Sequence, residues 1–277
     1  MSTSAESTSP IGPLSVGNVV TAAVRIYRSH LQQYFMLALR AYLWVFVPVY
    51  GWAKYAAISG LISRLAFQEL INQPETVQEA RKQINPRMWQ FLVTGILIFL
   101  RFFGLYIGAA LTLGVVFGIL GVFTVANPAI GLFNALAAFV LIVTFIIGAI
   151  RFYSRLIITE VPLAIEPGLT ASKTINRSWV LTKGAVGRIQ WIVVVAFLIS
   201  LLIYAPVQII SSLLQSAISA DPSSGAANFF LLLMTALSLL SGALVNPFWQ
   251  VIKAVIYYDL RSRREGLGLE LRRRNPL

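Results

Sequence analysis

The chain of 277 residues contains no cysteine, one histidine and only ten acidic residues. The missing thiols exclude disulfides, thiolate nucleophiles and thiolate metal sites. With His30 as the lone imidazole, a zinc site of Cys and His ligands cannot be assembled. No metal and no organic cofactor is expected. The phosphate-cradling glycine loop is missing too: Gly266 and Gly268 flank Leu267 without the third glycine of a dinucleotide fingerprint and without a strand before them. Charged residues make up 12% of the chain, about half the share of a soluble domain. What is present is apolar, 57% of all residues, more than the chain can hide within itself.

That apolar content falls into four runs, 102–124, 130–150, 189–211 and 229–252. Each is roughly 21–24 residues, the length an α-helix needs to cross a ~30 Å hydrocarbon core. One end of each run meets a basic residue: Arg101, Arg151, Arg188 and Lys253. A hairpin topology puts these four boundary residues on one side. The pattern predicts an all-α, polytopic transmembrane helix bundle with both termini cytoplasmic. The turns at Asn127-Pro128 and at 221–225 carry no Lys or Arg and read as external. The net charge of +12 could signal nucleic acid, but such proteins line a soluble groove with cations and aromatics. Here the cations sit at the ends of apolar runs, so the expected partner is a lipid bilayer, anionic lipids above all, and not nucleic acid.

Residues 1–13 are rich in Ser, Thr and Pro, lack Lys and Arg, and read as a disordered cytoplasmic tail, with a single membrane domain over 14–277. Ser15 can cap a first helix. Val16, Val20, Ala23, Val24, Tyr27 and Leu31 form its apolar stripe, which suits either the membrane interface or the protein's own cytoplasmic face. Segment 34–63 is harder. Arg40 and Lys54 bracket an apolar stretch too short to span, with Pro48 and Gly51 favouring a bend. It is a re-entrant or short membrane-embedded hairpin packed against the spans, or a single crossing with Lys54 inside the membrane. The hairpin is preferred, because a central lysine costs about 2.5–3.5 kcal/mol. Residues 64–88 read as a polar connector with a short helix starting near Pro74, and 89–100 as a helical extension beyond the bilayer. Residues 169–183 form a second amphipathic helix, with Trp179 in the headgroup layer and Gly184 as its stop. Asn246-Pro247 should kink the last span. The tail 261–277 holds six Arg and two Glu, each basic residue adding about 1 kcal/mol near an anionic leaflet.

No catalytic constellation emerges. His30 lies on the first amphipathic helix without an acid cluster beside it. Glu160, Glu166 and Asp259 border apolar sequence, where an ionisable group invites a functional hypothesis, but their closeness to the boundary favours structural ion pairing. Asp259 and Arg263 are four residues apart and can pair along a helix. Small-residue pairs such as Gly104 with Gly108 and Gly114 with Gly118 suit helix packing and allow a homo-oligomer.

Two stretches resemble a known family. Glu166, Arg177, Ser178, Trp179, Leu181 and Gly184 form one segment. Tyr258, Asp259, Leu260 and Arg261, followed by Arg263, Arg264, Glu265 and Gly266, form the other, with Tyr27 and Arg28 near the start. Together they resemble the glycerophosphoryl diester phosphodiesterase membrane domain family of bacterial multi-pass proteins. The resemblance implies a bacterial inner membrane, or an internal membrane such as the thylakoid. It implies the membrane module without the hydrolase barrel, since a barrel takes about 250 further residues. The expected role is non-enzymatic: organising lipids or partner proteins at the cytoplasmic face. The alternatives are a transporter or channel component and, third, a lipid-headgroup enzyme. Glu166, Arg177, Ser178, Trp179, Tyr258, Asp259, Arg261, Arg264 and Glu265 are expected to form a structural motif that joins the two stretches.

Overall fold

The computed structural model describes residues 14–126, 130–220 and 225–268. The tail 1–13, the turn at Asn127-Pro128, residues 221–224 of the second turn and the end of the basic tail from 269 lie outside the described residues. The described chain is helical, without a strand: α1 Val16–Ser29, α2 Leu31–Trp44, α3 Tyr50–Leu70, α4 Val77–Ile84, α5 Met88–Ala126, α6 Gly131–Leu156, α7 Glu160–Ile165, α8 Ala171–Thr182, α9 Val186–Ala220 and α10 Gly225–Glu265. Among the described residues, four helices are long and apolar enough to cross a membrane, namely α5, α6, α9 and α10. The architecture is an all-α bundle of a multi-pass membrane protein.

These helices overrun the apolar runs. α10 has 41 residues, about 60 Å at 1.5 Å per residue, twice a ~30 Å hydrocarbon core. α5 has 39 residues and α9 has 35. The surplus length lies at one end, where α1, α2, α3, α7 and α8 wrap it into a packed head. Nearly all of the core is there: Val19, Ala23, Leu61, Ile62, Ile158, Leu163, Ile189, Ile252 and Tyr257 are fully buried. In the distal halves the large exposed side chains are mostly apolar, from Leu111 and Val122 to Phe139 and Leu202, as suits a lipid-facing surface.

α1 resolves its two readings. Ser15 Oγ accepts from the Asn18 N–H at 3.2 Å and starts the helix. Val19, Val20, Ala23 and Ile26 are buried against α9 and α10, and the Tyr27 hydroxyl donates to the Leu244 carbonyl at 2.7 Å. The apolar stripe is therefore spent on the protein's own core. Leu31 departs from the stripe: it begins α2 and is exposed.

Segment 34–63 is a helical hairpin. α2 ends at Trp44, residues 45–49 turn, and α3 returns between α5 and α10. Val49 takes φ +61° at the bend, and a Cβ on Gly51 would lie 1.8 Å from the Trp44 carbonyl oxygen. The expectation that this segment is shielded by the spans holds for α3 but fails at the tip: Leu43, Phe46, Val49 and Trp52 are half exposed or more. The turn tolerates exposure because its backbone is self-paired. The N–H groups of Val45, Val47 and Gly51 donate to Tyr42, Trp44 and Val47 carbonyls, and the Trp52 indole donates to Val45. A lipid-facing loop fails only when its polar groups lack partners.

Two smaller expectations shift. The short helix of the connector starts after Thr76, not at Pro74, because Thr76 and Glu79 form a reciprocal capping box. The glycines of α5 do not serve packing within the chain: Cβ atoms on Gly104, Gly108, Gly114 and Gly118 would meet open space. The close approach is at Gly60 instead, where a Cβ would lie 2.3 Å from the Phe91 ring. Replacing Gly60 by Leu is expected to cost about 1–3 kcal/mol through overpacking, read as a lower unfolding midpoint in detergent. Gly95→Leu, which faces open space, is expected to leave the midpoint in place, and equal losses at the two positions would refute this packing.

Candidate functional site

The polar chemistry of the molecule collects along the last six turns of α10. The first station is a ladder between α3 and α10. The Ser63 hydroxyl donates to Gln250 Oε1 at 2.9 Å, Gln250 Nε2 to Asn246 Oδ1 at 3.2 Å, and Asn246 Nδ2 to Ser59 Oγ at 3.4 Å. Small hydroxyl residues four apart let α3 lie close to α10 while giving its amides partners. Pro247 stands inside the continuous α10 beside these amides.

One turn on, Lys253 Nζ donates to Glu160 Oε1. The six-residue α7 exists between two bends and delivers Glu160 at its first position. Ladder and ion pair line a cavity of about 470 Å³ between α3, α5, α7 and α10, with Tyr55 and Thr94 on its walls and Trp52, Ile96 and Phe99 toward its mouth. The site offers one carboxylate, one ammonium and several amide and hydroxyl groups. That set can hold a polar or zwitterionic group. The carboxylate and the amine neutralise each other, so neither stands ready as a general base or nucleophile.

The second station joins α10 to α8. Glu166 follows α7 and accepts from Arg177 Nε at 3.0 Å and from the Tyr257 hydroxyl at 2.5 Å. Arg177 reaches Glu265 at 2.5 Å with its other arm, and Glu265 accepts from Arg261 at 2.8 Å. Burial alone would lower the Arg177 pKa, but Glu265 and Glu166 together hold it above the ordinary arginine value. Arg261 also lies 5.7 Å from the Tyr257 ring centroid.

The third station grips the start of the chain. Asp259, 2% exposed, accepts from the Leu14 N–H at 2.7 Å and from Arg188 Nη1 at 2.6 Å, with Arg263 Nε at 3.2 Å. Arg188 and Arg263 also donate to the Leu14 carbonyl. Both backbone polar groups of one residue are therefore clamped to α9 and α10.

The nine motif residues come out as follows. Glu166, Arg177, Arg261 and Glu265 meet in one network. Asp259 stands apart from it, in the Leu14 clamp. Arg264 caps α8, donating to the Val180 and Lys183 carbonyls, just before Gly184 leaves the helix at φ +77°. Ser178 Oγ donates to the Arg155 carbonyl at 2.7 Å, tying α8 to α6. Trp179 is not buried by the protein: it is 41% exposed, with the Arg155 guanidinium 4.7 Å from its ring centroid. Tyr258 is buried against Phe67.

The four boundary cations divide. Arg101 and Arg151 are exposed, whereas Arg188 and Lys253 are taken up by Asp259 and Glu160. The apolar surface of α5 does not stop at Arg101 but continues through Phe99, Ile96 and Val93 to Trp89. The described part of the basic tail is likewise committed inward, because Arg261, Arg263 and Arg264 all bind protein groups. His30 also has an acidic neighbour, Glu69 at 3.7 Å. Sequence reading missed Leu14, Tyr257 and the Ser59, Ser63, Asn246 and Gln250 ladder. The one legible sign of the ladder was its spacing, two polar residues four apart on each of two apolar helices.

Comparison of the chain with protein-family models, curated proteins and solved structures returned no match.

Replacing Arg177 by Gln leaves Glu166 to the Tyr257 hydroxyl and Glu265 to Arg261 and is expected to cost about 2 kcal/mol through the lost charged hydrogen bonds, read by thermal unfolding in detergent. Exchanging the charges of Glu166 and Arg177 should not restore stability, since the new carboxylate would face Glu265. Adding Glu265→Arg to that exchange should recover part of it. Full rescue by the exchange alone would remove Glu265 from the network.

Proposed function

We propose that this chain is a non-enzymatic membrane module, similar to the glycerophosphoryl diester phosphodiesterase membrane domain family, that organises lipids or partner proteins at the cytoplasmic face of a bacterial inner membrane or an internal membrane such as the thylakoid. One observation supports this reading above the others. Six of the seven carboxylates among the described residues are held by hydrogen bonds or ion pairs, Glu75, Glu79, Glu160, Glu166, Asp259 and Glu265, and Glu69 lies 3.7 Å from His30. Arg40, Lys54, Arg81, Arg101 and Arg151 have no carboxylate partner among the described residues. A protein that spends its acids on its own fold and leaves cations and exposed aromatics beside its apolar surface is suited to anionic lipid. A hydrolase of phosphodiesters needs a group poised to take or give a proton, and these carboxylates are engaged.

The test is lipid retention. The full chain, purified from mixed bilayers in nanodiscs, is expected to carry anionic lipids at several times their share of the bulk membrane, or a co-purifying protein in fixed ratio. Retained lipid of bulk composition with no partner would refute the proposal. Labelling from the two faces of sealed vesicles checks the sidedness: residues 127–129 and the carboxyl terminus should react from opposite sides.

The cavity beside Lys253 and Glu160 favours one second reading, a transporter component, because it places an ion pair and amides at one mouth between α3 and α5. Gradient-driven uptake by proteoliposomes that Glu160→Gln abolishes, with the unfolding midpoint kept within a few degrees, would replace the lipid-organising reading. No uptake by the unaltered chain is the expected result.

A further inference from the structure

The cations of the head fall into two groups. Arg64, Arg87, Arg177 and Arg188 each bind a carboxylate or a backbone carbonyl. Arg40, Lys54 and Arg81 bind neither, yet the fold brings all three to one pocket of about 280 Å³ between α2, α3 and α4. Lys54 and Arg81 are half-buried there and Arg40 is exposed at its edge, and the Tyr50 ring centroid lies 5.6 Å from Lys54 Nζ. Three like charges gathered around a partly desolvated pocket repel one another, and no acidic residue lines it. An anion seated among them would offset that repulsion.

We propose that this pocket binds the phosphate of an anionic phospholipid, with Arg40, Lys54 and Arg81 on the headgroup and the acyl chains lying along the tip of the α2–α3 hairpin. The proposal rests on the lipid-engaging reading above and names its site. The choice of lipid over a soluble anion comes from the walls. Trp44, Ile58, Leu61 and Ile84 supply apolar lining beneath the cations. Beyond Trp44 the apolar surface continues outward over Phe46 at 65% exposure and Trp52 at 50%. Tyr50 and Trp89, 6.5 Å apart between ring centroids, extend the aromatic rim, and such rings mark the headgroup level of a bilayer. A phosphate with two hydrocarbon tails matches both halves of this surface. A free phosphate matches only the cations.

The experiment uses the full chain in phosphatidylcholine nanodiscs and native mass spectrometry. The probes are dioctanoyl phosphatidylglycerol, dioctanoyl phosphatidylcholine and inorganic phosphate. The unaltered chain is expected to hold one phosphatidylglycerol at least tenfold more tightly than phosphatidylcholine. Arg40→Gln, Lys54→Gln and Arg81→Gln together should abolish that preference, and Arg25→Gln with Arg28→Gln, exposed on α1 away from the pocket, should keep it. None of the three pocket cations makes a hydrogen bond or ion pair that holds the fold among the described residues, so the triple variant, which also removes their mutual repulsion, is expected to unfold at the same temperature or a higher one. Should it misfold, Arg81→Gln alone, with an expected loss of several-fold, takes its place. Equal losses in the pocket and control variants would overturn the pocket while leaving general lipid attraction standing. Inorganic phosphate binding as tightly as the lipid would also overturn it, by making the occupant a soluble anion. No preference in the unaltered chain would sink both the pocket and the reading it rests on.

Discussion

A 41-residue helix cannot be covered by a ~30 Å hydrocarbon layer, and the rest of this structure follows from how the uncovered half of α10 is dressed. Lipid accepts apolar side chains and leaves polar ones unsatisfied. Beyond the layer, protein must take over, and it can supply hydrogen-bond partners that lipid cannot. α10 changes character accordingly, from Phe229, Leu231 and Leu232 at its exposed start to Gln250, Lys253, Asp259 and Glu265 at its packed end. Asn246, Gln250, Lys253, Tyr257, Asp259, Arg264 and Glu265 of that second half each meet a specific neighbour elsewhere in the head. Lys253 states the constraint most sharply. It is part-buried and would stand unpaired among apolar helices without its carboxylate, and α7, only six residues long, presents Glu160 to it.

The excess positive charge acquires a structural meaning in this light. Arginine carries five donors in a planar fork, and here the forks stitch irregular backbone to helices. Arg64 binds Glu75 through two nitrogens and still reaches the Ala164 carbonyl. Arg87 holds the Glu166 and Leu169 carbonyls in the link between α7 and α8. Arg264 closes the end of α8, and Arg188 with Arg263 closes on Leu14. A lysine at these positions could match the charge but not the two simultaneous, divergent bonds. Many of the 22 Lys and Arg residues are thus committed to building the head, and the others are left to face a membrane surface.

The spans were legible because lipid imposes a length, and a length can be counted along the chain. The helix ends were not, because helix continues wherever protein replaces lipid: Arg101 and Arg188 interrupt apolar sequence without interrupting α5 or α9. The Glu166 and Arg177 contact was within reach of sequence, since eleven residues with a Gly168 turn between them bring the pair together across one bend. The partner of Asp259 was only half legible. Arg263 lies one turn away, but Leu14 is 245 residues distant, and nothing local marks a backbone amide as the intended donor. The α3–α10 ladder joins residues 187 apart through single polar side chains, each of which alone looks like an ordinary tolerated hydroxyl or amide. The hairpin followed from Pro48 and Gly51. That its tip would be exposed did not, because exposure depends on whether a turn can satisfy its own backbone.

The two ends of the bundle are held by different physics. In the head, dense apolar burial and the three polar stations fix helices that would otherwise slide. Over residues 101–122, 131–150, 201–219 and 226–240 Asn134 and Ala227 are the buried residues, and the Asn134 amide bonded to the Leu120 carbonyl at 3.0 Å is a polar link between α5 and α6. The glycine face of α5 leaves a groove of about 470 Å³ beside α6 rather than a tight seam. Apolar side chains gain nothing from leaving lipid for one another, because hydrocarbon tails are as apolar as leucine. Stability must therefore reside where hydrogen bonds and ion pairs can discriminate one arrangement from another. The distal helices inherit their positions from the head, as rods set in a common base, and the α2–α3 hairpin is the part of that base whose apolar surface extends beyond its own core.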